Sequence, residues 1–442
     1  MLSVTLFLFM QFFCFDLPTK IQNNLQERVS LKYNHAIVAA YVREGKPTFF
    51  SAGDFPLDIK SEEAIFEIGS ITKLFTAHLT LILTQDGLLD LDLPIEEYLP
   101  VSIPSFSNSK ITLRHLLTHT SGLKDPENKN YYNPKNGNTV PVADWTKEDL
   151  YTFLEAFKLE KDPGTSILYS NLAYALVGSI LESVTQKSYE TILNEKILGP
   201  IKLNSTFLSF SETSKKRGVQ GFINGEKALP WEIPNLPAFG GLKSTAKDLS
   251  TYLQYIFCRE EVSIPILNTL ILPYFENKDN QMAVSIGFGI DRRFENELYV
   301  ASGTSLGFSC MMLFSPKKKE GVVLLTDSNS LDALAYHWLD PRFTTETLYR
   351  EIFCSKTELI PFEGTYYDTE DTTSWVQIRA MEGYLEIFQK DDPPVKFIPM
   401  GEKQFFTRFF GSATQPIKFE EESNCRLIVK IGGKKTIFLR SI

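Results

Sequence analysis

Two strand-like stretches near the start of this chain, Ala36 to Arg43 and Pro47 to Gly53, flank the turn Glu44-Gly45-Lys46. No further strand pattern occurs until after residue 280. A lone hairpin does not bury enough apolar surface to be stable in water, so this one needs partners from far along the chain. Alternating stretches return at about Ala283 to Arg293, Leu298 to Ser302, Phe308 to Phe314 and Val322 to Thr326. Between the two groups lies a mostly helical block, Ser70 to about Phe257, broken by polar loops. First and last strands therefore belong to one antiparallel sheet with helices on its faces, an α+β fold.

The helical block opens with Phe66-Glu67-Ile68-Gly69-Ser70-Ile71-Thr72-Lys73-Leu74-Phe75. Ser70 and Lys73 are three apart and so share a helix face. A serine hydroxyl is a weak nucleophile without a base beside it, and a helix start supplies free N–H groups and partial positive charge that favour an oxyanion. Alone, the spacing also fits an ordinary helix start, with Ser70 near the cap and Lys73 in solvent.

A second segment reads Asp162-Pro163-Gly164-Thr165-Ser166-Ile167-Leu168-Tyr169-Ser170-Asn171. Pro163-Gly164 marks a turn. Leu172, Leu176, Ile180 and Leu181 follow at helical spacing, so a helix begins near Ser170. Tyr169 and Asn171 then stand at a loop-to-helix junction, facing either a cleft or, as core aromatic and helix cap, the interior. A phenol titrates near 10, and two nearby cations would lower it enough to exchange a proton with Ser70. Asn171 offers a donor and an acceptor to a substrate amide or to Lys73.

Ser-x-x-Lys followed by Tyr-x-Asn resembles the serine β-lactamase and penicillin-binding-protein superfamily, in its class C-like branch. The resemblance runs from about Val29 to Asn329. It includes Gly87-Leu88-Leu89-Asp90-Leu91-Asp92-Leu93-Pro94, the segment Leu113 to Leu123, and the segment Ala238 to Leu249. It implies a β-lactamase/transpeptidase-like sheet flanked by helices, plus an all-helical region. It implies a serine hydrolase of esters, amides or peptides, working through a Ser70 acyl-enzyme with Lys73 and Tyr169 as proton-transfer groups. Asn171, Ser302, Gly303 and Thr304 would bind substrate, with the oxyanion between the Ser70 and Thr304 N–H groups.

The family's third motif is Lys/His-Thr/Ser-Gly, followed downstream by Gly-Phe or Gly-Tyr. This chain has Ala301-Ser302-Gly303-Thr304-Ser305-Leu306-Gly307-Phe308, so the basic position falls on Ala301. None of the histidines at 35, 78, 115, 119 and 337 is near it in sequence. In the family that base helps hold a substrate carboxylate. A hydrogen bond to a charged group contributes about 1.5–3 kcal/mol, roughly tenfold to a hundredfold in affinity. Ala301 therefore argues against a β-lactamase or D-alanyl-D-alanine carboxypeptidase and less against an esterase or amidase. It also weakens the case for a lowered Tyr169, unless Arg292 or Arg293 folds back to substitute. A ligand-binding member of the fold without turnover is the reading of another class.

No metal or cofactor is implied. His115 and His119 are one turn apart, but lie in a family segment where they look structural. A net charge of −9 argues against a nucleic-acid partner; the resemblance implies a small-molecule or peptide substrate. Met1 to Phe15 is almost wholly apolar, the length of a secretory h-region and short for a span. It lacks a basic n-region, which a start codon assigned too late would explain. Residues 1–20 read as a leader or anchor, hence a secreted, periplasmic or membrane-anchored protein. Cys14 aside, Cys258, Cys310, Cys354 and Cys425 are too sparse for a disulfide scaffold and read as free buried thiols.

After the hydrolase-like region, 21–352, the pattern changes. Residues 357–442 carry about eight short strand-like runs, from Gly364 to Arg440, punctuated by turns such as Asp392-Pro393-Pro394 and Gly432-Gly433. These read as a small antiparallel barrel, similar to the lipocalin-like domain appended to many family members. It packs on the hydrolase domain, or its phenylalanines 405, 406, 409 and 410 cap the cleft or take an apolar ligand.

Overall fold

The computed structural model describes residues 17–126, 140–223, 225–257, 265–277, 281–293, 297–328, 334–343, 350–371, 373–388, 394–401, 403–407, 415–420, 426–431 and 434–440. The apolar run 1–15, Cys14, Cys258, Cys425, Phe409, Phe410 and much of the loop 125–144 lie outside these residues.

Helix α1, Leu17–Ser30, precedes strands β1, Ala36–Arg43, and β2, Lys46–Gly53. Strand β3, Phe66–Glu67, leads through a 3-10 turn into helix α2, Thr72–Gln85. Helix α3 is Asn171–Thr185, strand β4 is Lys243–Ser244, and helix α4 is Ala246–Phe257. Strands β5, Phe275–Asn277, β6, Met282–Val284, β7, Gly289–Asp291, β8, Leu298–Thr304, β9, Ser309–Ser315, and β10, Glu320–Thr326, follow, then helix α5, Leu334–Leu339. The main sheet has the order β2-β1-β10-β9-β8-β7-β6-β5. The N-terminal hairpin thus pairs with the last strand of the region, Ile37 opposite Thr326.

Strand β1 explains why both faces need helices. Ala36 through Val42 are all buried. Successive side chains point to opposite faces, so Val38, Ala40 and Val42 join one core with α2 and α4. Ile37, Ala39 and Tyr41 join the other, against Ile21 and Leu25 of α1 and Trp338 of α5. A strand buried on both faces reads as a continuous apolar run, which is how Ala36-Ile37-Val38-Ala39-Ala40-Tyr41-Val42 is written.

Three details depart from the sequence reading. The stretch 283–293 is two strands, because Ser285 N–H bonds Phe288 O and Gly287 takes φ +102°, closing a tight turn. The three-residue β5 beside it is too short to show a pattern. Leu17–Lys20, counted with the apolar leader, begin α1.

The C-terminal strands are β11, Gly364–Asp368, β12, Trp375–Met381, β13, Tyr384–Phe388, β14, Val395–Gly401, β15, Gln404–Thr407, β16, Gln415–Glu420, β17, Arg426–Ile431, and β18, Lys434–Arg440. Each pairs with its neighbour in sequence and β18 closes on β11, giving a closed barrel. Phe405, Phe419 and Tyr366 fill its interior, with Phe362 packed against them. Phe406 alternates to the other face and stacks on Tyr33, ring centroids 6.1 Å apart. This contact joins the barrel to the segment between α1 and β1. Among the described residues no helix is long and apolar enough to cross a membrane.

Candidate active site

Ser70 lies on the 3-10 turn Gly69–Ile71, which runs straight into α2. Two glycines set its position. Gly69 has φ +47°, and a Cβ there would lie 2.5 Å from Thr304 O. A Cβ on Gly303 would lie 2.0 Å from Ile68 O and 2.7 Å from Ser70 N. Strand β8 can press its backbone onto the nucleophile turn only because both positions lack side chains. Ser70 and Thr304 consequently line one cavity of about 380 Å³, together with Val140, Tyr169, Asn171, Trp231, Phe239, Ser302 and Gly303. Val140 comes from the long loop expected at the cleft.

Lys73 is only 4% exposed. Its Nζ contacts Ser70 Oγ at 2.9 Å, Asn171 Oδ1 at 2.8 Å and Phe239 O at 2.7 Å. Burial pushes the ammonium down to about 7, against a smaller upward pull from Asp125. The partners fit the neutral form. An amide oxygen and a carbonyl oxygen only accept, so they take the two N–H bonds of a neutral amine and leave its lone pair toward Ser70. The solvated lysine of the ordinary helix-start reading is not what the fold builds.

Asn171 owes its orientation to Asp125, which the sequence reading did not single out. Asp125 accepts from the Asn171 side-chain amide at 3.0 Å, the Asn171 and Leu172 backbone N–H groups, and Ser170 Oγ. A carboxylate at the N-terminus of α3 satisfies donors that a helix leaves open. It also fixes Asn171 with its oxygen toward Lys73. The open donors of a helix start imply an acceptor, but nothing in the spacing identified residue 125. Ser170 caps α3 by accepting from Ala173 N–H at 3.0 Å.

Tyr169 donates to Ser70 Oγ at 2.6 Å. The Tyr169 side chain is half exposed, at 52%, but its hydroxyl end is turned in against Ser70, and desolvation there pushes the phenol up to about 12, outweighing the Ser70 hydrogen bond, with Asp125 adding to the rise. Tyr169 is therefore raised and not lowered, the direction in which Ala301 already pointed. Lys73 stands 4.8 Å over the Tyr169 ring, but a near-neutral amine does not stabilise a phenolate. Among the described residues no second cation lines the cavity that Tyr169 shares with Ala301. Arg292 pairs with Glu276 and Glu297, and Arg293 with Asp291, so neither substitutes at position 301.

His119, distant from Ala301 in sequence, is brought by the fold to line the same small cavity as Ala301. It stacks on Tyr169 at 4.4 Å and accepts the Ser170 N–H at Nδ1. Burial, with Lys73 nearby, pushes it down to about 3, so it is neutral. His115 Nδ1 likewise accepts the Thr112 N–H. Among the described residues no group of His, Cys, Asp and Glu is placed to hold a metal ion.

The third motif has one further support. Glu67 of β3 is buried and accepts from Ser305 Oγ at 2.6 Å and Trp231 N–H at 2.8 Å, tying the strand end and the cavity wall together. Cys310 is a buried free thiol on β9, and Cys354 is a partly exposed one.

A sheet of this order, with a serine and a buried lysine against the end of its strand β8, defines the class, a serine hydrolase. The Beta-lactamase family profile matches residues 22–340, so the chain belongs to that family. A β-lactamase of Yersinia enterocolitica is 24% identical over 357 residues, covering 71% of this chain and 87% of the relative. The D-alanyl-D-alanine-carboxypeptidase/endopeptidase AmpH of Escherichia coli strain K12 is 29% identical over 197 residues, 43% of this chain, so the chain spans about half of that relative (49%). The octameric penicillin-binding protein homologue from Pyrococcus abyssi superposes with a TM-score of 0.63 at 23% identity, over 95% of this chain and 99% of that one. The β-lactamase/D-alanine carboxypeptidase from Yersinia pestis gives 0.59 at 24%, over 71% and 93%. At such identities these two structures speak for the fold alone.

Proposed function

We propose that this protein cleaves an ester, amide or peptide bond through an acyl-enzyme on Ser70. The observation that carries the reading is the contact set of the buried Lys73 Nζ, within hydrogen-bond distance of Ser70 Oγ, Asn171 Oδ1 and Phe239 O, with burial bringing the amine to about 7. Neutral Lys73 takes the Ser70 proton as Oγ bonds to the substrate carbonyl carbon. The carbonyl oxygen becomes an oxyanion between the Ser70 and Thr304 N–H groups, where preorganised donors act. The intermediate collapses, the bond to the leaving group breaks, and that group receives a proton from Lys73 or, through its hydroxyl, from Tyr169. Water then repeats the sequence on the acyl-enzyme. Asn171, Ser302 and Gly303 shape the substrate site, and Asp125 and Glu67 are positioning residues.

Penicillins and D-alanine termini, whose carboxylate would meet Ala301 in place of a base, are poorer candidates than uncharged esters and amides. A hydrolase region of 21–352 with a barrel of 357–442, exported or membrane-attached through the apolar run 1–15, belongs to the same proposal. Intact-protein mass after a fluorophosphonate, and separately after a penicillin, tests it. An adduct absent in Ser70→Ala supports an activated serine, and labelling by the fluorophosphonate alone supports the uncharged-substrate reading. No adduct in folded protein would leave a ligand-binding member of the fold.

A further inference from the structure

Two cavities meet at Ser70, and they differ in chemistry. Ser70, Tyr169 and Ser302 line both. The larger holds Asn171 and Thr304. The smaller, about 220 Å³, is walled by Leu117, Ile167, Val284, Phe288, Val300 and Ala301, and it is the one that Lys73 lines.

The walls of the small cavity are mostly apolar, with His119 Nε2 and Ser302 Oγ as their uncommitted, uncharged polar atoms. Ser285 Oγ donates to Phe288 O and Tyr174 OH to Leu117 O. His119 Nδ1 is held by the Ser170 N–H. Neither arginine nor a carboxylate lines it, and Lys73 spends its N–H groups on Asn171 and Phe239. An anion placed there would lose its hydration and would favour the charged form of Lys73 over the neutral amine that the reaction needs. An apolar group would gain by leaving water. An apolar cavity of about 150 Å³ accepts benzene, so this one accommodates a ring with a substituent.

The direction of the reaction decides which part of the substrate enters. The leaving group must collect a proton; Lys73, which carries the Ser70 proton, lines the small cavity and not the larger one, while Tyr169 lines both. We propose that this cavity binds the leaving group, and that the preferred substrates release an uncharged, apolar alcohol or amine about the size of a phenyl group. The acyl part then lies in the larger cavity, beside Asn171. This deepens the serine-hydrolase reading and rests on it.

The test compares phenyl acetate with 4-carboxyphenyl acetate, which share an acyl group and so a deacylation step. Wild type is expected to favour phenyl acetate by tenfold or more in kcat/KM. Ala301→Leu, which fills the cavity, should lower kcat/KM for phenyl acetate about tenfold. Ala301→Lys, which adds a cation, should erase or reverse the preference. An independent check on wild type needs no variant: phenol should inhibit competitively and 4-hydroxybenzoate should not. Equal inhibition by the two phenols, or a substrate ratio indifferent to both substitutions, overturns the inference. Turnover that survives Ser70→Ala overturns instead the reading beneath it.

Discussion

The protonation of Lys73 yields the sharpest prediction. An ordinary lysine titrates near 10.4, so at pH 7 only about one in a few thousand is neutral. Burial brings Lys73 to about 7, so about half the molecules hold a free base beside Ser70 at neutral pH. That is roughly a thousandfold gain in competent enzyme, equivalent to about 4–5 kcal/mol at 1.36 kcal/mol per pH unit. The sign follows directly. Protonation as pH falls through 7 removes the base, so activity falls on the acid side and levels off on the alkaline side. The assay is the second-order rate of fluorophosphonate labelling of Ser70 by intact mass, from pH 5 to 9. The rate should rise about tenfold per unit below pH 6.5 and flatten above 7.5. Lys73→Met should lower the plateau by about 10²–10⁴, the usual share of a general base, and abolish the inflection. A flat profile, or an inflection only above pH 9, would mean that Lys73 is charged in the folded protein and the base is another group.

Tyr169→Phe removes the 2.6 Å hydrogen bond to Ser70 and should slow labelling while leaving the inflection near pH 7 in place, read from the same profile. Asn171→Ala strips Lys73 and Asp125 of a partner each, and should lower stability by about 1–3 kcal/mol, measured by urea unfolding. Gly303→Ala drives a methyl against Ile68 O and Ser70 N, so it should cost about 1–3 kcal/mol of overpacking and abolish labelling of the folded fraction. Phe406→Ala removes a fully buried ring stacked on Tyr33, with an expected loss of about 3–5 kcal/mol in the barrel's contribution to the unfolding midpoint. Labelling should persist there below the transition, because Phe406 lines neither cavity at Ser70.

What was legible in the sequence was whatever local spacing encodes. The hairpin at 36–53, the helix after Ser170 and the eight barrel strands follow from period and turn residues, because those patterns are local. Ser70, Lys73, Tyr169 and Asn171 were legible because their spacing is bound to helix starts. Asp125 was not, since its four hydrogen bonds run to a helix nearly fifty residues on, and a lone carboxylate in a polar loop has no pattern. His119 beside Ala301 was hidden for the same reason. That Ala301 works against a lowered Tyr169 was legible, but the size of the rise was not, because sequence shows which charges exist and not how each group is desolvated; here desolvation outweighs the charges at Lys73 and at the Tyr169 hydroxyl alike.

That desolvation divides the labour of the two groups. Lys73 at about 7 and Tyr169 at about 12 are driven apart by one environment, which makes one the base and the other a proton donor. Position 301 governs the division. A cation within about 4–6 Å favours an ionised partner by about 1–3 pH units, and a lysine at 301 would enter the cavity that Tyr169 lines. Ala301→Lys should therefore draw the Tyr169 limb of the pH–rate profile down from about 12 by at least one unit. The same charge opposes a second ammonium, so the Lys73 inflection should also move below 7. Both limbs moving together is the signature of a cation added to the shared cavity. If neither moves while the variant still labels at Ser70, position 301 does not control the pair, and the alanine there is no reason for Tyr169 to keep its proton.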